Sequence, residues 1–256
     1  MFNLAQGALV DLNGDGKYDT SDQYGMVYEV LTANALWVGA GKNVIKTVNG
    51  ELQYTIENED VVNLFERILK YYADPSVTRD LGSAEISTLL NEGRTLFQNP
   101  CTFTLTEYRE VDYDFGILPM PKLDVDQEEY STSCTVYWAT FFSIPTSNVE
   151  KLDATCYLLE AMGYYGQEMC TYQYYDKTLK LKKMDDPEDE RMLDLLFQNR
   201  TFDLGAVYDW AGPTAGMLQF YTSMIGSESS EIISVYESKR DSFQAAIDAT
   251  IDTFTK

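Results

Sequence analysis

The sequence contains no histidine, and only 19 of its 256 residues are basic against 41 acidic ones. Without imidazole, the hydrolytic triads and the zinc sites that depend on histidine are excluded. The formal net charge of −22 repels polyanions over roughly a Debye length. The composition therefore predicts that the chain binds neither nucleic acid nor anionic lipid.

Long apolar runs and paired cysteines are also missing. No stretch approaches the ~18 apolar residues of a membrane-spanning helix, and the opening segment MFNLAQGALVDLNGDG has no secretory-signal pattern. The cysteines form no C-x-x-C pair and are too scattered for a disulfide framework, although their pairing stays open. We expect them to be small, buried apolar residues. They are Cys101, Cys134, Cys156 and Cys170.

What the chain does have is a hydrophobic content of 45% and an aromatic content of 13%. These values are typical of a folded globular protein. Tyrosine and tryptophan suit either a core with satisfied polar edges or a cleft that stacks on sugars. Composition alone favours the core.

An acidic segment near the amino end has the spacing of a calcium-binding loop. Oxygen-bearing side chains occupy positions one, three, five, nine and twelve of residues 11–22, Gly16 occupies position six, and position seven offers a backbone carbonyl. The predicted ligands are Asp11, Asn13, Asp15, Lys17, Asp19 and Asp22. Position twelve is Asp22, where a helix-loop-helix hand has a longer glutamate. The alternative is an Asx-rich surface turn without metal.

The segments that follow alternate between strand and helix patterns. Asn49-Gly50 between residues 44–48 and 52–56 predicts a hairpin, and a helix follows with apolar residues at helical spacing. Residues 82–91 predict a short helix, 95–97 and 115–118 predict strands, and 134–144 form the most β-prone stretch. The helix after the hairpin should bury Val61, Leu64, Phe65, Ile68, Leu69 and Tyr72.

Three helix signals occupy the second half of the chain. Residues 147–150 have capping-box spacing before an apolar stripe of Leu152, Cys156 and Leu159. Asp186-Pro187 predicts another start, with Met192, Leu195 and Leu196 facing inward. The last helix should bury Ile232, Tyr236, Phe243, Ile247, Ile251 and Phe254. These elements predict a helix-rich α/β fold.

Four segments, in this order, resemble the extracellular solute-binding proteins of sugar ABC transporters. They are the acidic run 11–25, which ends in Tyr24-Gly25, the segment WVGAG at 37–41, the segment DFGILPMPK at 114–122, and MLDLLFQNRTFDLGAVYDW at 192–210. The resemblance covers nearly the whole chain. The family's usual signal peptide and most of its amino-terminal lobe have no counterpart in the sequence.

The resemblance implies a periplasmic-binding-protein-like fold of type II, mainly the carboxy-terminal lobe plus part of the other lobe. Residues 1–256 would form a partial two-lobed fold, with the calcium-type loop at 11–22, a central portion with hinge-crossing strands at 26–144, and a helical portion at 145–256. It implies capture of a carbohydrate, without catalysis, for ABC permease subunits. It also implies an extracellular or periplasmic location, with the full-length parent a membrane-tethered lipoprotein.

A carbohydrate site needs aromatic platforms and polar groups. Five aromatic residues are candidates, and the acidic surface favours a neutral oligosaccharide. They are Trp37, Tyr137, Trp138, Tyr208 and Trp210. Core packing is an equally good interpretation of each, and a better one for Tyr137.

Two alternatives remain open at this point. One is a calcium-dependent, dockerin-like interaction module, although such modules normally use two loops and this chain has one. The other is a carboxylate-based glycoside hydrolase, because two carboxylates suffice for that chemistry.

Overall fold

The computed structural model describes residues 1–28, 35–43, 45–49, 51–55, 58–74, 78–80, 83–134, 142–174, 186–212, 225 and 232–255. The candidates Tyr137 and Trp138 and most of the predicted strand 134–144 lie outside these residues.

A three-stranded parallel sheet forms the centre of the first half of the chain. Its strand order is β4-β1-β5, with β1 at Tyr24–Tyr28, β4 at Thr78–Asp80 and β5 at Thr95–Asn99. All five residues of β1 are buried, as expected for a central parallel strand covered on both faces. Helix α1, Phe2–Ala8, packs so closely on β1 that a Cβ at Gly25 would lie 1.9 Å from the carbonyl oxygen of Ala5.

The predicted hairpin is confirmed. Strands β2, Ile45–Val48, and β3, Glu51–Tyr54, pair antiparallel, with Val48 opposite Glu51. This register leaves a two-residue turn whose first residue, Asn49, has φ 54°. Asparagine tolerates this left-handed conformation better than most residues, which is why the Asn-Gly pair predicts the turn.

The main core lies between three helices: α2 at Ala35–Gly39, α3 at Glu59–Ala73 and α8 at Ile232–Thr255. All six apolar residues predicted to be buried on α3 are buried. On α8, burial is confirmed for Ile232, Tyr236, Phe243 and Ile247. The prediction is wrong for Ile251 and Phe254, which are exposed because the core cluster ends at Ile247.

A second, smaller core lies under α6, Pro187–Gln198. The predicted helix start is confirmed, since the Asp186 carboxylate accepts a hydrogen bond from the backbone N–H of Glu188. The most buried residue of α6 is Leu193, while the predicted Met192 and Leu196 pack at the edge of this core. Leu195, also predicted to face inward, is half-buried and lies outside this cluster.

Residues 115–118 do not form the expected strand. The backbone N–H of Ile117 instead donates to the Asp189 carboxylate on α6, at 2.9 Å. Pro119 and Pro121 follow directly and cannot donate to a sheet ladder, which explains why no strand extends through this segment.

Helix α5, Leu152–Gly166, is preceded by a 3-10 helix, Thr146–Lys151, in place of the predicted capping box. No residue of α5 is buried, so the predicted apolar stripe is not part of a core: Leu152 and Cys156 are exposed and Leu159 is half-buried. The expectation of buried cysteines is also wrong, because Cys156 and Cys170 are exposed and Cys101 and Cys134 are half-buried. Within the described residues, no disulfide joins any of the four.

The remaining elements are short. A 3-10 helix covers Thr102–Glu110 and a π-helical turn covers Gln167–Thr171, while α4 occupies Ser83–Asn91 as predicted. Helix α4 packs Ile86 and Leu89 against Tyr24 and Val27 of β1 in a third apolar cluster. Strands β6, Thr132–Ser133, and β7, Arg200–Thr201, pair parallel, and α7 follows at Leu204–Tyr208. Within the described residues, no helix combines the length and the apolar character that a bilayer crossing requires.

Candidate ligand-binding site

Tyr208 and Trp210 form a stacked aromatic pair just after α7. Their ring centroids lie 5.0 Å apart with an interplanar angle of 6°. The Trp210 side chain is buried, and its Nε1–H donates to Thr250 Oγ1 on α8 at 3.0 Å. Tyr208 keeps 45% of its surface exposed. Trp210 is therefore held in the core, and the Tyr208 ring that stacks on it stays partly exposed to solvent.

The turn that carries this pair has an uncommon backbone. The Asp203 carboxylate starts α7 by accepting the backbone N–H of Ala206, and Asp209 ends it at φ 40°. Ala211 also has positive φ, at 74°. Non-glycine residues in the left-handed region each cost roughly 1 kcal/mol or more, and such positions concentrate at functional sites.

Trp37 lies in the main core and is 1% exposed. Its ring packs edge-on against Phe65 at 4.9 Å and approaches Tyr72 at 6.4 Å. Trp37 and Trp210 belong to the same core cluster. Of the three described aromatic candidates, the structure presents Tyr208 to solvent and uses both tryptophans in packing.

The predicted calcium loop is a tight turn in which side-chain oxygen atoms accept hydrogen bonds from the backbone N–H groups of the same loop. The Asp11 carboxylate accepts the backbone N–H groups of Gly14 and Gly16, and Asn13 and Asp15 each accept from the residue two positions further on. Gly16 has φ 78°, as position six of such a loop requires. Lys17, whose carbonyl was a predicted ligand, donates its backbone N–H to Asp15.

The far end of this loop is anchored in the protein. The Asp22 side chain is buried, and its carboxylate accepts the backbone N–H groups of Leu12 and Asp19 at 2.9 Å each. Arg94, next to β5, donates to the carbonyl oxygens of Thr20 and Asp22. In the part of the chain that the structure describes, no three acidic, cysteine or histidine side chains come together as a metal cluster.

Among the residues that the structure describes, two carboxylates have clearly perturbed pKa values, and both are lowered. The backbone N–H of Ser21 lowers the pKa of Asp19, and the hydrogen bond from Lys42 lowers that of Asp60. A glycosidase acid requires the opposite direction, since it must stay protonated near neutral pH. Neither residue fits that role.

One feature of the surface was missed by sequence reasoning. An open polar cleft of about 550 Å³ lies between residues 127–131 and residues 198–201. Residues 122–130 are mostly polar and acidic and have the composition of a loop. The sequence did contain one indication of this cleft, which is the residue types of its two walls. Residues 130–133 carry one aromatic ring and several hydroxyl groups, and residues 198–200 carry two amides and a guanidinium. Nothing in their spacing predicts that the two walls meet.

The fold is similar to that of a solved carbohydrate-binding protein. A "cyclo/maltodextrin-binding protein complexed with maltotetraose" matches with a TM-score of 0.56 at 12% sequence identity, over 93% of this chain. The chain spans 63% of the length of that protein. No family model matches the sequence, and no curated protein matches it. The predicted helix-rich α/β fold of the periplasmic-binding-protein type is thus confirmed at the level of architecture.

Proposed function

We propose that this chain is the carbohydrate-binding component of an ABC importer. It captures a neutral oligosaccharide, leaves it chemically unchanged and delivers it to a membrane permease. The mature protein acts outside the cytoplasm, tethered by a lipid anchor. The resemblance of four ordered segments and the similarity of the fold to a maltodextrin-binding protein support this proposal.

The observation that carries the proposal is the exposed ring of Tyr208 on the buried Trp210. A sugar ring has apolar C–H faces that pack on an aromatic face, and a ring already fixed in position loses little entropy on binding. Trp210 serves as the support of this platform through its hydrogen bond to Thr250. Tyr137 and Trp138 remain candidates for the same kind of contact, whereas Trp37 is 1% exposed and packs in the core.

The net charge favours a neutral ligand. A chain with a net charge of −22 repels an anionic polysaccharide unless a local positive charge compensates. A neutral sugar carries no net charge on which the long-range field could act. Closure of two lobes around a hinge is the motion by which such folds hold a ligand.

We also propose that residues 11–22 bind calcium. The donors are hard oxygen atoms, which Ca²⁺ prefers, and a carboxylate oxygen that accepts one N–H retains a further lone pair. Because the described carboxylates do not form a cluster, binding requires Asp11 and Asp15 to draw together. The ion would reinforce the loop that Arg94 fastens to β5.

Calorimetric titration with maltotetraose, cellotetraose and mannotetraose tests the carbohydrate proposal. We expect at least one of them to bind, and the same solutions to show no new reducing ends after prolonged incubation. Binding of peptides or amino acids in place of all three sugars would contradict the carbohydrate assignment. Release of reducing ends would favour a glycoside hydrolase.

A further inference from the structure

We propose that the polar cleft between residues 127–131 and 198–201 is a binding surface for the hydroxyl groups of a neutral oligosaccharide. Gln198, Arg200 and Glu129 would hold the hydroxyls, and one sugar ring would lie against Tyr130. This inference rests on the proposed carbohydrate function and assigns the ligand a place that the aromatic candidates do not include.

The dimensions of the cleft suit a small oligosaccharide. Its volume of about 550 Å³ falls within the ~300–1,000 Å³ of small-molecule sites. The cleft is shallow and broadly open to solvent, so a ligand longer than the cleft can extend beyond it.

The first wall is fixed before any ligand arrives. The side-chain amide of Gln127 donates to the carbonyls of Gly39 and Glu129 at 2.8 and 2.9 Å, and its oxygen accepts the backbone N–H of Leu123 at 2.8 Å. Lys122 Nζ donates to the Glu128 carbonyl at 2.9 Å. A loop tied in this way loses little conformational entropy when it binds.

The second wall is fixed to the first by short strands. Thr132 pairs with Arg200 in the β6–β7 ladder, and the hydroxyls of Ser131 and Thr201 share a hydrogen bond of 2.8 Å. Arg200 Nε donates to the Phe197 carbonyl at 2.8 Å, which orients the guanidinium. The two walls are therefore joined directly by a strand pair and by a side-chain hydrogen bond.

Between these walls, several polar groups have no protein partner among the described residues. The Gln198 carboxamide, the Glu129 carboxylate and the Tyr130 hydroxyl make no hydrogen bond to the described part of the chain, and the Arg200 guanidinium pairs with no carboxylate there. Together they supply both donors and acceptors. A sugar hydroxyl both donates and accepts, so this mixture fits a polyol better than it fits an ion.

The charge of the cleft also differs from that of the whole chain. The cleft is lined by the carboxylates of Glu128 and Glu129 and by the guanidinium of Arg200. Lys122 lies beside the cleft, with its Nζ 4.4 Å from the ring centroid of Tyr130, and offsets the second carboxylate. A locally neutral surface on a strongly acidic protein binds an uncharged ligand without electrostatic cost. Lys122 lies over one face of the half-buried Tyr130 ring, and the proposal puts the sugar against the opposite face.

Titration of single variants with the tetrasaccharide that binds best tests the inference. Gln198→Ala, Tyr130→Ala and Tyr130→Phe are compared with Gln6→Ala, which removes a matched exposed amide from α1. We expect Gln198→Ala and Tyr130→Ala each to raise Kd about tenfold, and Tyr130→Phe to have a smaller effect because the ring remains. Gln6→Ala should bind as the wild type does. Circular dichroism melting curves establish that each variant is folded.

The outcomes separate this inference from the proposed function. Unchanged affinity in both Gln198→Ala and Tyr130→Ala, with the sugar still bound, would overturn the cleft assignment and leave the carbohydrate function standing. Absence of binding by the wild-type chain to every sugar tested at millimolar concentration would overturn both.

Discussion

Replacing Tyr208 by alanine should weaken carbohydrate binding by an amount that can be worked out from its exposure. A tyrosine side chain offers ~200 Å² of surface, and 45% of Tyr208 is exposed. A ligand on its open face covers between half and all of that area. At about 25 cal/mol per Å² this corresponds to ~1–2 kcal/mol, or roughly a fivefold to thirtyfold increase in Kd.

Calorimetry on matched variants measures this effect. Tyr208→Phe keeps the ring and should bind within about twofold of the wild type, since the hydroxyl contributes little to a stacking contact. Tyr157→Ala removes a tyrosine that is 81% exposed on α5, and it should leave Kd unchanged. The stacking argument is refuted if Tyr208→Ala and Tyr157→Ala bind the sugar equally well and with wild-type affinity.

Three further predictions concern the metal loop, the second core and the response to alkaline pH. Calcium at 1 mM should raise the melting temperature relative to chelator in the wild type and in Asp126→Ala but not in Asp15→Ala. If calcium shifts the melting temperature of none of the three proteins, or of all three equally, the metal site is rejected. Leu193→Ala should lower the free energy of unfolding by about 2–5 kcal/mol in urea titrations, whereas Leu4→Ala, at a site 64% exposed, should change it little. Burial raises the pKa of Tyr108, so the folded state retains the proton and stability should fall as pH rises above ~10, where the unfolded chain ionises. In Tyr108→Phe this fall should be shallower, and an unaltered pH profile would show that Tyr108 does not contribute.

Local patterns in the sequence predicted the elements whose partners are near in the chain. The hairpin around Asn49 and the buried face of α3 follow from the turn chemistry and from helical spacing, and both are confirmed. The start of α6 at Asp186 follows from the same kind of local rule, because the capping side chain lies two residues from its donor. These features need no information about distant parts of the chain.

The errors concern burial and long-range packing. A helical stripe such as Leu152 with Cys156 shows which residues share a face but does not show what covers that face, and α5 buries none of it. The strand expected at 115–118 is replaced by the contact of Ile117 with Asp189, which lies 72 positions away in the sequence.

In the candidate site, too, the residue types could be predicted from the sequence but the long-range contacts could not. The sequence identified Tyr208 and Trp210 by residue type, but their stacking depends on the turn at Asp209 and on Thr250 of α8. The polar cleft was missed because its two walls come from segments about 70 residues apart that meet through β6 and β7, as the bond between Ser131 and Thr201 shows.

Saturation-transfer NMR with a neutral tetrasaccharide tests the central claim, capture without conversion, most directly. When the protein is irradiated in the presence of excess sugar, we predict that saturation is transferred to the ring protons of the sugar. We also predict that the anomeric region of the spectrum is unchanged when it is recorded again a day later. No transfer to any of the sugars, or new reducing-end signals in the later spectrum, would contradict the account.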